Sequence, residues 1–388
     1  TQYRINQDEI SPNSDRDAIE PINVIDDRSR ESSAFGSVFY KVNNALTLRG
    51  GLRYTQYQKI GEGREYVFET NEARSRESII DTLRFEGGKV IQKYKSLEPR
   101  VSFVYRLSKS ASVKGSYQKT AQFIHQLSNS VAPSPFAVWR VSNTNIRPRR
   151  TGQVAFGYFQ NLRNNIFEAS VEGYFNTSEN NLDFKNLADL INNEIIEADL
   201  IPVEGRAYGI ELFLRKNKGL LKGWVSYTYS RSEFRTSGSF TDEIINENDY
   251  YLSHFDRPHI INSSISLDLS RRWTFGFNFN YSSGRPVSYP TARYTLNDVQ
   301  LIRFSERNSF RINDYHRLDF SVTLKGNLKR EQLLKSSWTF SVYNVYARNN
   351  PFSIFFGRRQ PLDAPFTPYQ LSIIAIPVPS ITWNLHIN

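Results

Sequence analysis

From Arg272 to Ser282 the chain alternates without a break: Trp273, Phe275, Phe277, Phe279 and Tyr281 are aromatic, while Thr274, Gly276, Asn278, Asn280 and Ser282 are small or polar. A period of two sends successive side chains to opposite faces of a strand, so one face is apolar and the other polar. The same alternation runs through Val101, Phe103, Tyr105 and Leu107. It returns in Leu318, Phe320, Val322 and Leu324, set against Arg317, Asp319, Ser321 and Thr323. Segments of this kind predict about thirteen strands, near 34–43, 45–58, 92–107, 110–122, 151–162, 166–182, 205–216, 222–235, 257–269, 272–284, 314–325, 337–347 and 370–387.

The connections alternate too. Short ones fall at Asn43-Asn44, Ser108-Lys109-Ser110, Arg163-Asn164-Asn165, Asn217-Lys218-Gly219 and Ser270-Arg271, and long ones at 59–91, 123–150, 183–204, 236–256, 285–313 and 348–369. Short turns on one side and long loops on the other predict an all-β fold, a transmembrane antiparallel β-barrel with periplasmic turns and extracellular loops. Strands of a soluble sandwich run to about five or six residues, whereas these reach the ~9–11 needed to cross a bilayer at a tilt. A propeller would repeat a blade motif, and no such repeat is present. Because lipid cannot satisfy an open sheet edge, a barrel must close. An odd number of strands implies more strands upstream, with residues 1–33 a loop or incomplete strand region and 34–388 the C-terminal part of the barrel.

Composition sharpens the picture. The 388 residues include 22 Tyr, 27 Phe and 5 Trp, yet mean hydropathy is only −0.52, as expected of strands with one apolar face and aromatic belts at the membrane boundaries. With no cysteine, disulfides, Cys-ligated zinc, iron–sulfur clusters and thiol catalysis are excluded. The net charge of +10 is spread along the chain rather than gathered in a stripe, which reads as solvated charge and not as a nucleic-acid footprint. Residues 364–388 carry no Asp, Glu, Lys or Arg, but Pro365, Pro368, Pro377 and Pro379 argue against a membrane helix there. The sequence opens at Thr1 with no leader, so a processed or partial product is expected.

Several motifs carry a family resemblance. Phe255-Asp256-Arg257-Pro258-His259, Tyr281-Ser282-Ser283-Gly284-Arg285-Pro286, Tyr315-His316-Arg317-Leu318-Asp319, Tyr343-Asn344-Val345-Tyr346-Ala347-Arg348-Asn349-Asn350-Pro351 and the closing Pro377-Val378-Pro379-Ser380-Ile381-Thr382-Trp383-Asn384-Leu385 follow in order. Together with Gly205-Arg206-Ala207-Tyr208-Gly209-Ile210-Glu211 and Gly223-Trp224-Val225-Ser226-Tyr227-Thr228, they resemble the C-terminal half of TonB-dependent outer-membrane receptors over roughly residues 30 to 388. The likeness is to the Bacteroidota type with a carboxypeptidase-like regulatory domain, relatives of the SusC-like transporters. That resemblance implies a barrel of about 22 strands, an N-terminal plug and a TonB box coupled to the inner-membrane motor, with a surface lipoprotein or other outer-membrane subunits as further partners. Such barrels often end on an aromatic residue, whereas this chain ends at Ile387-Asn388.

Most of these residues read as structural. Pro258 lacks an N–H and suits the start of a strand, with Asp256 and Arg257 expected to pair at the loop edge. On the wall, Trp273, Phe275, Phe277, Phe279, Leu318, Phe320, Val322, Ile381, Trp383 and Leu385 are expected to face lipid, and Asn278, Asn280, Arg317 and Asp319 the lumen. No G-x-S-x-G, H-E-x-x-H or Walker A motif occurs, so no enzyme, metal or cofactor is expected. The stretch Leu187–Ile196 has helical spacing and predicts one or two turns on the barrel rim. Loop 123–150 combines aromatic and hydrogen-bonding side chains on a Pro-stiffened backbone. It supplies the candidate solute contacts His125, Phe136, Trp139, Arg140 and Asn143, with rim anchoring as the competing reading. The expected function is active uptake of a solute across the outer membrane. A receptor-like scaffold subunit and an outer-membrane hydrolase are its rivals.

Overall fold

The computed structural model describes residues 2–5, 27–127, 138–186, 188, 193–296, 299–326, 334–357 and 367–387. Its main element is a 15-stranded sheet in which neighbours in sequence pair as neighbours in space. The path begins with Gln2–Ile5 on Asp27–Lys41 and runs through Leu46–Ile60, Val90–Arg106, Ala111–Gln122, Arg149–Leu162, Phe167–Phe184 and Leu200–Lys216. It continues through Leu221–Arg235, His259–Asp268, Trp273–Ser282, Tyr315–Lys325 and Leu334–Tyr343 to Val378–Ile387, with the two-residue strand Tyr251–Leu252 added beside Leu221–Arg235. Every pair along this path is antiparallel. Among the described residues the first and last strands do not pair with each other.

The short turns are held by their own side chains. Asn43 Oδ1 accepts hydrogen bonds from the Ala45 and Leu46 amides, both at 2.8 Å, and Ser270 Oγ accepts from the Arg272 and Trp273 amides at 3.2 and 3.1 Å. Arg163, Asn164 and Asn165 take left-handed φ values of 49°, 51° and 62°, a conformation that asparagine tolerates better than most residues.

Register carries the alternation across the whole sheet. Phe277 sits opposite Ile265 on one side and Phe320 on the other, and Phe340 lies between Val322 and Ile381. One face therefore presents a field of mostly apolar side chains, interrupted at residues such as Ser263 and Gln160, and no second layer covers it among the described residues: Phe156 is 55% exposed, Ile210 52% and Ile381 66%. A soluble sandwich would bury such a face against another sheet, whereas a membrane wall leaves it to lipid. Trp273, Leu324, Trp338 and Trp383 form one cross-strand row at the short-turn end. Tyr227, Ile261, Tyr281 and His316 form another toward the long loops. The eight residue steps from Trp273 to Tyr281 span about 26 Å along the strand, close to the ~25 Å apolar band of outer-membrane barrels before tilt is considered.

Strand ends depart from the sequence expectation where they rise beyond that band. The first long strand begins at Asp27 rather than at residue 34, and Leu200–Lys216 starts before residue 205. The expected final strand 370–387 is two elements: Thr367–Leu371 forms a separate hairpin with Ser353–Gly357, and only Val378–Ile387 joins the wall. Buried residues concentrate at the long-loop end, in small clusters such as Tyr57, Phe123 and Val141, or Ile201, Val203, Ile245 and Tyr251. Of the expected helical stretch, Leu187 and residues 189–192 lie outside the described residues, and the turn seen next to it is the 3-10 helix Ile196–Ala198.

Candidate functional site

The face opposite the apolar field is polar and cross-linked. Asn278 lies opposite Asp319 and Asn280 opposite Arg317, so the pairing gathers all four on that face. Arg317 Nε donates to Asp319 at 3.1 Å, its Nη1 donates to both Tyr343 Oη at 2.7 Å and Tyr315 Oη at 3.0 Å, and its Cζ lies 4.1 Å from the Tyr343 ring centroid. Asp319 Oδ1 also accepts the Asn344 amide at 2.9 Å, which fixes the strand's exit. Asn280 Nδ2 donates to Asn262 Oδ1 at 2.8 Å, while Asn278 is exposed. Further along the same face Arg53 pairs with Glu31 at 3.1 Å, and Thr55 Oγ1 donates to Glu98 at 2.9 Å.

Above this face the loop from Phe123 folds back over the strand ends. Ile124–Leu127 pairs with Val138–Val141, placing His125 opposite Arg140. His125 is buried, its Nε2 lies 3.0 Å from Ser142 Oγ, and burial together with the nearby Arg149 lowers its pKa from 6.5 to about 4. The guanidinium of Arg140, 7% exposed, sits 3.6 Å from Asp27 Oδ2. Asn143 is buried and accepts from the Asn145 and Ile146 amides at 2.8 and 2.6 Å while donating to Glu197 Oε1 at 3.0 Å. Trp139 is 43% exposed. Phe136 lies outside the described residues. His125, Asn143 and Arg140 are thus engaged in holding the loop, Arg140 through Asp27 with its Nε buried and unbonded among the described residues, while Trp139 is partly exposed.

Beneath the loop sits an ionic cluster that the sequence did not announce. Lys59 Nζ lies 2.8 Å from Glu65 and 3.4 Å from Asp27, with all three side chains buried. Glu65 Oε2 accepts the Thr144 amide at 3.2 Å, and the Tyr57 and Tyr94 hydroxyls donate to the Ser142 and Asn143 carbonyls at 2.9 and 2.8 Å. A second anchor is Asp256, which pairs with Arg231 at 3.4 Å and with Arg311, and accepts the Ser232 amide at 2.8 Å. The expected Asp256–Arg257 pair does not form. Asp256 closes a turn with its amide on the Ser253 carbonyl, and Arg231 of the wall and Arg311 of the short strand Phe310–Arg311 reach its carboxylate instead.

The profile of the family described as "TonB dependent receptor-like, beta-barrel" matches residues 1–345. Among solved structures the fold is similar to the FrpB iron transporter from Neisseria meningitidis, at TM-score 0.54 and 13% identity over 94% of this chain and 46% of that one. It is also similar to the siderophore receptor PiuA from Acinetobacter baumannii, at TM-score 0.57 and 13% identity over 93% of this chain and 44% of that one. A third likeness is to the pyoverdine receptor FpvA of Pseudomonas aeruginosa, at TM-score 0.52 and 16% identity over 85% of this chain and 39% of that one. The chain thus spans under half the length of these receptors, and at such identities the likeness is one of fold. No curated protein sequence matches it. With a two-faced antiparallel wall, turns and loops segregated to opposite ends, and a family profile covering most of its length, the chain belongs to the TonB-dependent receptor-like β-barrel family of the bacterial outer membrane.

Proposed function

We propose that the chain supplies barrel wall and extracellular loops to a receptor that takes up a solute by active transport. The carrying observation is the opposition of faces: a mostly apolar face, and a polar face cross-linked by residues such as Arg317, Asp319 and Asn280. In this reading the polar face, with Asn278, lines a hydrated lumen, the loops meet the solute, and a plug moves when TonB pulls. The solved receptors named above are an iron transporter and siderophore receptors, which supports uptake as the class of activity and leaves this chain's solute open. The motifs Phe255–His259 and Tyr343–Pro351 support the Bacteroidota type, with a regulatory N-terminal domain and a surface lipoprotein as candidate partners.

Within loop 123–150, Trp139 is the residue we assign to solute contact, because it stays 43% exposed on a backbone held by buried neighbours. The test is comparative depletion of solutes from growth medium by cells carrying or lacking the full-length gene, each with an intact or a deleted TonB motor. The reading expects at least one solute whose depletion needs both gene and motor. Depletion that persists without the motor, or a gene with no effect on any solute, would sink it.

A further inference from the structure

Where Trp273–Ser282 leaves the wall, the chain makes a tight excursion through Ser283, Gly284 and Arg285. A Cβ at Gly284 would overlap the Ile312 carbonyl oxygen, so only glycine lets the two segments approach this closely. The excursion is clamped on both sides. The Gly284 amide donates to Asp314 Oδ1 at 2.8 Å, its carbonyl accepts from Arg311 at 2.9 Å, and the Ile312 amide donates to the Arg285 carbonyl at 3.1 Å. Arg285 and Arg257 both line a cavity of ≈ 260 Å³ that also touches Ser282, Ser283 and Tyr315. Ser282 and Tyr315 are cross-strand partners at the end of the polar face.

One carboxylate lies at the edge of this cavity, Asp314, and its oxygens are taken by the Gly284 amide at 2.8 Å and the Tyr281 hydroxyl at 2.7 Å. Arg285 is only 9% exposed, yet among the described residues neither it nor Arg257 has a carboxylate partner. The one deeply buried carboxylate close by, Asp256, is already shared between Arg231 and Arg311. Burial first, and then the positive charge of Arg257, lower the pKa of Arg285. A buried guanidinium ordinarily has a partner, because desolvating it unpaired is costly. Two guanidiniums on one cavity, one of them on a clamped backbone, give a planar set of N–H donors suited to an oxyanion.

We propose that Arg257 and Arg285 form a subsite for the carboxylate or phosphate end of a soluble anionic solute. The inference rests on the uptake reading and narrows its solute class. The cavity falls just below the ~300 Å³ at which pockets enclose whole small ligands, so it fits a charged head group. An adjoining cavity of ≈ 240 Å³ shares Tyr315, Pro351 and Phe352 and continues to Ile373 and Ile374, offering an apolar bed for the rest of the molecule.

The experiment is calorimetric titration of the full-length receptor in neutral detergent with tricarballylate and with inorganic phosphate, anions that present the two candidate head groups. Saturable binding that weakens as salt is raised is expected for the wild type. R285Q and R257Q/R285Q should lose at least tenfold in affinity, and R285K should retain part of it. Arg257 is partly exposed and unpaired, so R257Q keeps the test alive if Arg285 variants fail to fold, and it too should weaken binding. Folded wild type that binds neither anion, or a folded double variant that binds as well as wild type, overturns the subsite. A plug carboxylate as the natural partner would show itself as no anion binding combined with a lower Tm in R257Q/R285Q, which also overturns it. If solute depletion remains motor-dependent in wild-type cells under any of these results, the uptake reading stands and only the subsite falls.

Discussion

Replacing Lys59 by Met removes one positive charge from between two buried carboxylates while leaving most of the side-chain volume. At an effective dielectric constant of ~20, the 2.8 Å and 3.4 Å contacts with Glu65 and Asp27 are attractions of roughly 6 and 5 kcal/mol. The cost of drying three ions cancels much of that, so the intact cluster adds little over an apolar replacement. Breaking it is different. Among the described residues Glu65 keeps the Thr144 amide at 3.2 Å, and Asp27 keeps the Val141 amide at 3.4 Å and Arg140 at 3.6 Å. Two buried carboxylates left in this state should cost about 3–5 kcal/mol. Because their partners are loop amides, the loss should appear as local opening of residues 141–144. Hydrogen exchange at the Val141, Ser142 and Thr144 amides should accelerate by roughly 10²- to 10⁴-fold. The double variant Lys59→Met, Glu65→Gln should recover most of the protection, since Asp27 keeps Arg140 and no unpaired carboxylate remains. Exchange in Lys59→Met within about threefold of wild type would refute the argument.

Three further outcomes follow from the same geometry. His125 binds its proton less readily when folded than when unfolded, so its contribution to loop stability is complete above pH 6.5 and is lost as pH falls toward about 4, by at most ~3 kcal/mol; exchange at residues 124–127 measured against pH checks this, and His125→Gln should flatten the profile. Phe277→Arg puts a charge on the apolar face near mid-band and should cost ~2–4 kcal/mol of barrel stability, while Asn278→Arg should cost little, as read by urea titration of the full-length protein in lipid. Trp139→Ala should lower solute uptake with receptor abundance unchanged, whereas Arg140→Ala should disturb the loop through Asp27; equal uptake by wild type and Trp139→Ala would remove Trp139 from the contact surface.

The wall was legible in the sequence because lipid imposes a period of two that persists for ten or more residues, as in Trp273–Ser282 and Tyr315–Lys325. Strand ends were less legible, because beyond the membrane band the burial rule reverses. Leu46–Ile60 carries exposed Leu48 and Leu52 at one end and buried Thr55, Tyr57 and Lys59 at the other, under the loops. The cluster of Asp27, Lys59 and Glu65 left no motif, since its members meet through sheet register and loop return rather than through spacing. Proximity in sequence likewise pointed Asp256 to Arg257, when the residues that reach it are Arg231 and Arg311. Loop 123–150 showed its composition but not its economy: His125, Arg140 and Asn143 look free in sequence and are engaged in the fold.

Single spin labels at each position from 273 to 282, in the full-length receptor reconstituted in lipid, test the two-faced wall most directly. Collisions with oxygen, which concentrates in the bilayer, and with a water-soluble nickel chelate should alternate out of phase. Positions 275, 277 and 279 should favour oxygen, and positions 276, 278 and 280 the chelate. Uniform accessibility along the strand, or an alternation that puts Asn278 and Asn280 in lipid, would contradict the assignment of this sheet as a membrane wall with a polar lumen.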